Sequence, residues 1–333
     1  MMRTKAIRDI IIGIIFSFSI IFSVPIFILS TSLASSGKIS ERLQYLYNPS
    51  SPSNMEELSI GIDIGDVKLE YITTPVNYFA KLDINIEMIG LDLAGKSYLD
   101  YFDFNWQNIS ECVNFTMRIK PEISLLEVLS LIKNIQVLIF ISANTICDID
   151  IRVKDQGDTQ IIVPFGISVE NIIVKLSKGD IQFDFSYCIL KGNITGIIQD
   201  EGDLFFKSYN LQPIQNISLL LSAVEGDIFI DIFQHNGMDA NISGIISHKI
   251  GNIRFKYDDD NLDVGAYFVL YYNANDLGFP RALDEVEGFE DFPASGLDIY
   301  YLRSYDYPAE GNFNLLINNS NGLFLKLDLK NYY

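Results

Sequence analysis

Two histidines, three cysteines and a few knots of carboxylates are the residues of this chain that could do chemistry. His235 and His248 lie 13 positions apart, far from the i, i+4 pair that a metal-binding helix presents. They read as turn or solvent-facing residues. Cys112, Cys147 and Cys188 form no CxxC, so a zinc knuckle or thioredoxin-type motif is excluded. An exported chain could close one disulfide, with Cys112–Cys147 the first choice, or keep all three as small buried hydrophobes. Asp258, Asp259 and Asp260, with Asp263, form the densest acidic group. Calcium favours such oxygen-rich loops. The spacing lacks the alternation and glycine of a calcium loop, so a solvated turn is the plainer reading. Glu285, Glu287, Glu290 and Asp291 are a second such group.

Nucleophile elbow, P-loop and HExxH motifs are absent. Carboxylates are plentiful enough for a paired-acid glycosidase, yet nothing singles out two of them. The expectation is a chain that is not an enzyme and carries no cofactor and no metal. A net charge of -19 argues against nucleic acid as a partner, because phosphate binding needs a basic surface. Six N-x-S/T sequons occur. Asn108, Asn114 and Asn318 are the candidate N-glycosylation acceptors. Asn193, Asn216 and Asn241 have a competing structural reading, given below.

These residues must be placed by elements that the chain announces in order. Residues 10–29 run IIIGIIFSFSIIFSVPIFIL without a charge. As a helix this spans about 30 Å, one bilayer core. Arg3, Lys5 and Arg8 precede it and should stay cytoplasmic, placing residues 35–333 outside the cell. A cleaved signal peptide is the rival, with small residues at Ser32 and Ala34. The division expected is an anchor or signal segment over 1–34, a stalk over 35–57 and a β region over 58–120. A capping helix and repeat follow over 121–272, then an acidic loop and C-terminal strands over 273–333.

The strongest signal is periodic. Gly157, Gly179, Gly202, Gly226 and Gly251 each precede Asp or Asn, at spacings of 22 to 25 residues. Asn171, Asn193, Asn216 and Asn241, each followed by Ile, recur in phase with the first four. Glycine supplies a turn with φ > 0. After each turn the apolar residues alternate, as in Ile181, Phe183 and Phe185, which is a strand with one inward face. A unit of about 24 residues with two or three strands predicts an all-β, right-handed β-solenoid. An antiparallel β-sandwich is the alternative. Stacked units would align Ile162, Asp184, Lys207, Asp231 and Lys256 in an alternating charge column and the asparagines in a ladder. Pro121 to Asn134 carries a helical apolar stripe and is expected to cap the stack.

The stretch VPFGISVENIIVKLSKGDIQFDF, with the Gly202-Asp203 and Gly226-Asp227 units after it, resembles the putative-adhesin family of Gly-Asp-repeat domains. The likeness covers about residues 149–257. It implies a right-handed solenoid at the cell surface and supplies no catalytic residues. The expected function is a membrane-anchored, extracytoplasmic structural or adhesive protein that binds a surface protein or glycan. The alternatives are a polysaccharide-active enzyme on a β-helix scaffold and the exported sensor of a membrane complex.

Overall fold

The computed structural model describes residues 37–48, 55–90, 93–109, 111–259, 264–272, 285–287, 289–293, 299–309, 311–319 and 324–331. The chain enters through β1 (Gly37–Tyr47), β2 (Glu57–Ile64), β3 (Asp66–Ile72), β4 (Ala80–Gly90), β5 (Phe102–Ile109) and β6 (Cys112–Ile119). One short helix, α1 (Leu125–Leu131), leads into β7 (Ile132–Ser142). Three similar units follow: β8 (Asp148–Gln156), β9 (Thr159–Val163) and β10 (Ser168–Val169); β11 (Ile172–Lys178), β12 (Ile181–Ser186) and β13 (Ile189–Leu190); β14 (Ile194–Glu201), β15 (Leu204–Tyr209) and β16 (Gln212–Pro213). Two-stranded units continue the pattern, β17 (Ile217–Glu225) with β18 (Ile228–Gln234) and β19 (Ile242–Ile250) with β20 (Asn252–Asp259). The described chain closes with β21 (Val264–Tyr272), β22 (Glu285–Glu287), β23 (Phe289–Pro293), β24 (Ile299–Ser304), β25 (Gly311–Asn319) and β26 (Phe324–Asn331).

Each unit sends its long strands to two different sheets, so neighbours within a sheet run the same way. The eleven-stranded sheet, referred to below as the long sheet, has the order β1-β4-β7-β3-β9-β12-β15-β18-β20-β26-β22. The twelve-stranded sheet has the order β23-β24-β21-β25-β19-β17-β14-β11-β8-β2-β6-β5. Both are mixed: parallel through the middle, with the antiparallel pairs β1–β4, β4–β7, β5–β6, β21–β24 and β23–β24 toward their ends. Inward residues of both sheets form one buried cluster, to which Ile181, Phe183 and Phe185 belong. Burying such a side chain contributes about 1.5–3 kcal/mol.

The structure corrects the expected fold class. Among the described residues it is all-β, but two large mixed sheets form and no closed solenoid. The third wall exists there only as β10-β13-β16, three strands of two residues each. Strands distant in sequence also enter the sheets: β7 lies between β4 and β3, and β25 between β19 and β21. An antiparallel sandwich does not form either, because the central pairings are parallel. The expected capping helix over 121–134 shrinks to the seven residues of α1. From Ile132 the alternation of Ile135, Val137, Ile139 and Ile141, all buried, makes the chain a strand. That end of the long sheet is covered by β4 and β1 instead. There Asp83 accepts hydrogen bonds from Gln44 (2.7 Å) and Arg42 (3.0 Å) and pairs with Lys81 (2.9 Å). Burial works against its charge, but these partners hold its carboxyl below the usual range.

Residues 35–57, read as a stalk, include the eleven residues of β1. Among the described residues no helix is long and apolar enough to cross a membrane. The anchor expected at residues 10–29 lies outside the described residues.

The glycine corners set the spacing of the stack. Gly179 has φ +121°, and a Cβ there would sit 2.2 Å from the carbonyl oxygen of Gly157. Gly166 also has positive φ, at +78°, but a Cβ there would meet nothing within 4 Å. Gly179→Ala should therefore cost at least about 3 kcal/mol, combining strain with displaced backbone. Gly166→Ala should cost only the left-handed penalty of about 1–2 kcal/mol. Urea denaturation of both variants checks this, and equal losses would show that backbone contact does not set the corner.

Candidate functional site: the outer face of the long sheet

The corners carry two ladders of polar side chains. After each glycine, an aspartate Oδ1 accepts the backbone N–H of its counterpart in the next unit. Asp66 takes Asp158 (3.0 Å), Asp158 takes Asp180 (2.9 Å), Asp180 takes Asp203 (2.8 Å) and Asp203 takes Asp227 (2.8 Å). The file ends on an uncharged residue: Asn252 donates both its N–H (2.8 Å) and its Nδ2 (2.9 Å) to Asp227. Burial pushes Asp66 and Asp180 above the usual carboxylate range, with neighbouring aspartates adding to it and the accepted backbone N–H opposing it. The asparagine corners work similarly. Oδ1 of Asn171 accepts the N–H of Asn193 (2.8 Å), Asn193 that of Ser218 (2.7 Å), Asn216 that of Asn241 (3.0 Å) and Asn241 that of Asn312 (3.0 Å). The run is amide oxygen to backbone, and it steps past Asn216 to Ser218.

Between these corners the strands β12, β15, β18 and β20 present an outward face. Alternation sends Ile228, Ile230 and Ile232 inward and leaves Phe229, Asp231 and Phe233 outside, half-buried. Register then aligns the outward residues across strands. Gln160, Gln182, Phe205, Phe229 and Arg254 form one row. Asp184, Lys207, Asp231 and Lys256 form the next, with opposite charges as neighbours. Ser186, Tyr209, Phe233 and Asp258 form the third. The Phe205 and Phe229 rings stack at 4.9 Å and 4°. Lys256 places its Nζ 4.8 Å above Phe233, a cation–π contact. Two shallow hollows, of about 260 and 230 Å³, meet at Gln182 and Phe205; Lys68 and Asp158 line the first, and Lys207 and Asp231 the second.

Where the face turns toward the short sheet, aromatic rings continue from unit to unit. Phe165 meets Tyr187 at 5.4 Å, Tyr187 meets Tyr209 at 5.4 Å and Tyr209 meets Phe233 at 5.6 Å. Phe165 is 72% exposed and the others half-buried. Buried Gln234 braces the turn, accepting from the Leu211 N–H (3.0 Å) and donating to the Asn236 carbonyl (2.7 Å). This ladder went unread in the sequence, although an aromatic stands seven or eight residues after Gly157, Gly179, Gly202 and Gly226.

The other candidates are dispersed. Asp258 faces outward, whereas Asp259 is buried and accepts the Tyr257 O–H at 2.8 Å. Asp260 and Asp263 lie outside the described residues. Among the described residues no group of three or more His, Cys, Asp or Glu could hold a metal ion. His235 lies beside Tyr209, while His248 is buried in β19 of the other sheet. All three cysteines are free thiols, so the expected Cys112–Cys147 bridge is corrected. Cys147 and Cys188 are buried, which pushes their thiols up to about 12 and leaves them unreactive. Asn108 and Asn114 are exposed on the β5–β6 hairpin, and Asn318 is half-buried within β25.

No protein-family model matches the chain, and no curated protein matches it. Among solved structures it is similar to a putative cell adhesion protein from Clostridium sporogenes, at 10% identity and a TM-score of 0.29, over 87% of this chain and 100% of that one. It is also similar to a putative adhesin from Bacteroides fragilis, at 12% identity and a TM-score of 0.31, over 88% and 96%. Likenesses at this level bear on neither ligand nor activity.

The aspartate ladder makes stability depend on pH. A carboxyl whose folded pKa is raised costs stability while ionised, in full above that pKa, and the cost disappears as pH falls through it. Asp180→Asn removes the charge and keeps an Oδ1 acceptor, the arrangement that Asn171 and Asn216 already use at the asparagine corners. It should raise the melting temperature by about 1–3 °C at pH 7, with the gain over wild type shrinking at pH 4. Thermal melts at both pH values check this, and a lower melting temperature for the variant at pH 7 would count against it.

Proposed function

We propose that this chain is an extracytoplasmic structural or adhesive module that binds a surface protein or glycan through the outer face of its long sheet. The carrying observation is the three-row pattern: Phe205 and Phe229 on one side, Tyr209 and Phe233 on the other, and the alternating Lys207, Asp231 and Lys256 between. Half-exposed aromatics supply most of the contact energy of binding surfaces, at small entropic cost. Charges that alternate at strand spacing keep like charges apart and select partners by pattern more than by net sign. The role is binding without turnover. The face offers shallow hollows and rows of rings.

The proposed address has the chain held in the cell membrane by residues 10–29, with residues 35–333 outside. It rests on the uncharged run and the basic residues before it. In intact cells making the full chain with a C-terminal tag, external protease should remove the tag. Protection that is lost only on lysis would refute export.

Binding is tested on beads coated with the full chain and applied to cell surfaces. Replacing Phe205 and Phe229 together by Ser should reduce adhesion at least tenfold, about 1.4 kcal/mol, while circular dichroism stays unchanged. Undiminished adhesion would move the binding surface elsewhere.

A further inference from the structure

We infer that the ladder Phe165–Tyr187–Tyr209–Phe233 seats an unbranched, uncharged glycan chain that runs along the stack, across the strands. This rests on the binding role proposed for the face and names its ligand class.

Three observations carry it. The first is period. The rings repeat at 5.4, 5.4 and 5.6 Å, close to the spacing of strands and to the advance of one linked pyranose unit. The rings are tilted to one another by 49°, 37° and 23°, so each turns partly toward its neighbour, and a polymer with that repeat can rest one sugar against the exposed part of each in turn. An extended peptide cannot, since it presents side chains to one side only every ~6.6–6.8 Å. A polyproline helix repeats at about 9 Å. Either would drift out of phase with the rings within three steps.

The second is charge. The chain carries -19 overall, which repels polyanions. The row beside the ladder alternates Asp184, Lys207, Asp231, Lys256, so it offers no line of one sign to a charged polymer. The exposed parts of the Phe165, Tyr187 and Tyr209 rings offer apolar contact to the C–H groups of a neutral sugar, and the hydroxyls of Tyr187 and Tyr209 can exchange hydrogen bonds with its hydroxyl groups; at Phe233, where Lys256 Nζ lies 4.8 Å above the ring, the ammonium offers a donor instead.

The third is backbone strain at one ring. Gly166, Tyr187 and Asn210 occupy equivalent corners: the N–H of Gly166 bonds the carbonyl of Tyr187, that of Tyr187 bonds the carbonyl of Tyr209, and that of Asn210 bonds the carbonyl of Phe233. All three have positive φ, at 78°, 49° and 51°. Glycine and asparagine take this conformation readily, and a tyrosine does so at a cost of about 1–2 kcal/mol. The strained tyrosine is the residue that bridges Phe165 to Tyr209. Strain kept where a surface ring completes a row is the pattern of a binding site.

The full chain is run by affinity electrophoresis through gels holding hydroxyethylcellulose, arabinoxylan, galactomannan or glycol chitin, with alginate as the polyanion. The matching neutral hexasaccharide, and an extended acidic and an extended basic peptide, are then titrated calorimetrically. At least one neutral polymer should retard the protein, and affinity should rise with oligosaccharide length up to about four units, one per ring. Phe165→Ala and Tyr187→Gly should each weaken binding about tenfold. Tyr187→Gly relieves the corner but gives up the ring's contacts with Phe165 and Tyr209, so its melting temperature is read beside its affinity, and Phe165→Ala, which trims a ring 72% exposed, decides the case if Tyr187→Gly melts lower. Retardation by alginate alone, by no polymer, or unchanged in both variants would overturn the inference, as would Phe165-dependent binding of a peptide instead. If no neutral glycan binds while bead adhesion still depends on Phe205 and Phe229, the ladder's ligand is wrong and the adhesive role stands. If adhesion is also lost from the wild-type chain, both fall.

Discussion

At each Gly-Asp corner the chain passes so close to the previous unit that no side chain fits between. The Cβ of a residue at 157, 179, 202, 226 or 251 would fall about 2 Å from the carbonyl oxygen of the preceding corner's glycine. This contact fixes the offset between units. Once backbone meets backbone at the corner, the strands on either side of it can pair only in one register, and Ile181 must lie beside Leu204 and Leu204 beside Ile228. A one-residue slip would turn Phe183, Phe185 and Phe206 outward. The corner and the core therefore specify the same alignment.

The same closeness explains the polar ladders. A tight corner leaves backbone N–H groups that strand pairing does not reach, some of them partly buried, and a donor left without a partner becomes more costly the more it is buried. Aspartate and asparagine answer this with a short side chain that reaches the next unit's N–H. Where the ladder consists of aspartates, the solution places like charges in file, and burial raises Asp66 and Asp180 as a result. Asn252, in place of a sixth aspartate, ends the file of charges at one end. At three of the four sheet ends antiparallel strands take over from the repeat, with β1 and β5 as edges at one end, while β22 closes the fourth in parallel with β26. β1 is 11 residues long and bears Lys38, Glu41 and Arg42, charges that discourage further strand pairing.

The strand class was legible in residues such as Ile228, Ile230 and Ile232, because period two survives whatever the tertiary arrangement. Which strands would meet was not. Nothing local in Ile135–Ser142 says that it pairs antiparallel with Ala80–Glu87 and parallel with Asp66–Ile72, and that pairing prevents a uniform stack. The short helix was overdrawn because Ile132 and Ile135 fit a helical stripe and a strand equally well, and length alone separates the two readings. The binding face was half legible. The charge row could be written out from fixed offsets after each glycine, but the ring row could not, because Phe165 and Tyr187 stand eight residues after their glycines and Tyr209 and Phe233 seven. The left-handed corner at Tyr187 absorbs that difference.

A stack held at constant backbone spacing repeats whatever it carries outward. Side chains of one kind then form rows, and each row has consequences its members lack singly. Like charges in a row repel, which the Asp184, Lys207, Asp231, Lys256 alternation avoids. Aromatic rings in a row attract, and they also offset the cost of a strained residue such as Tyr187, whose ring has a neighbour on each side. A row of rings at fixed intervals favours partners that repeat at the same interval, because every unit after the first binds at high effective concentration. Selectivity in such a surface comes from spacing, so the glycine contact that sets the fold also sets the scale on which this face can recognise a ligand.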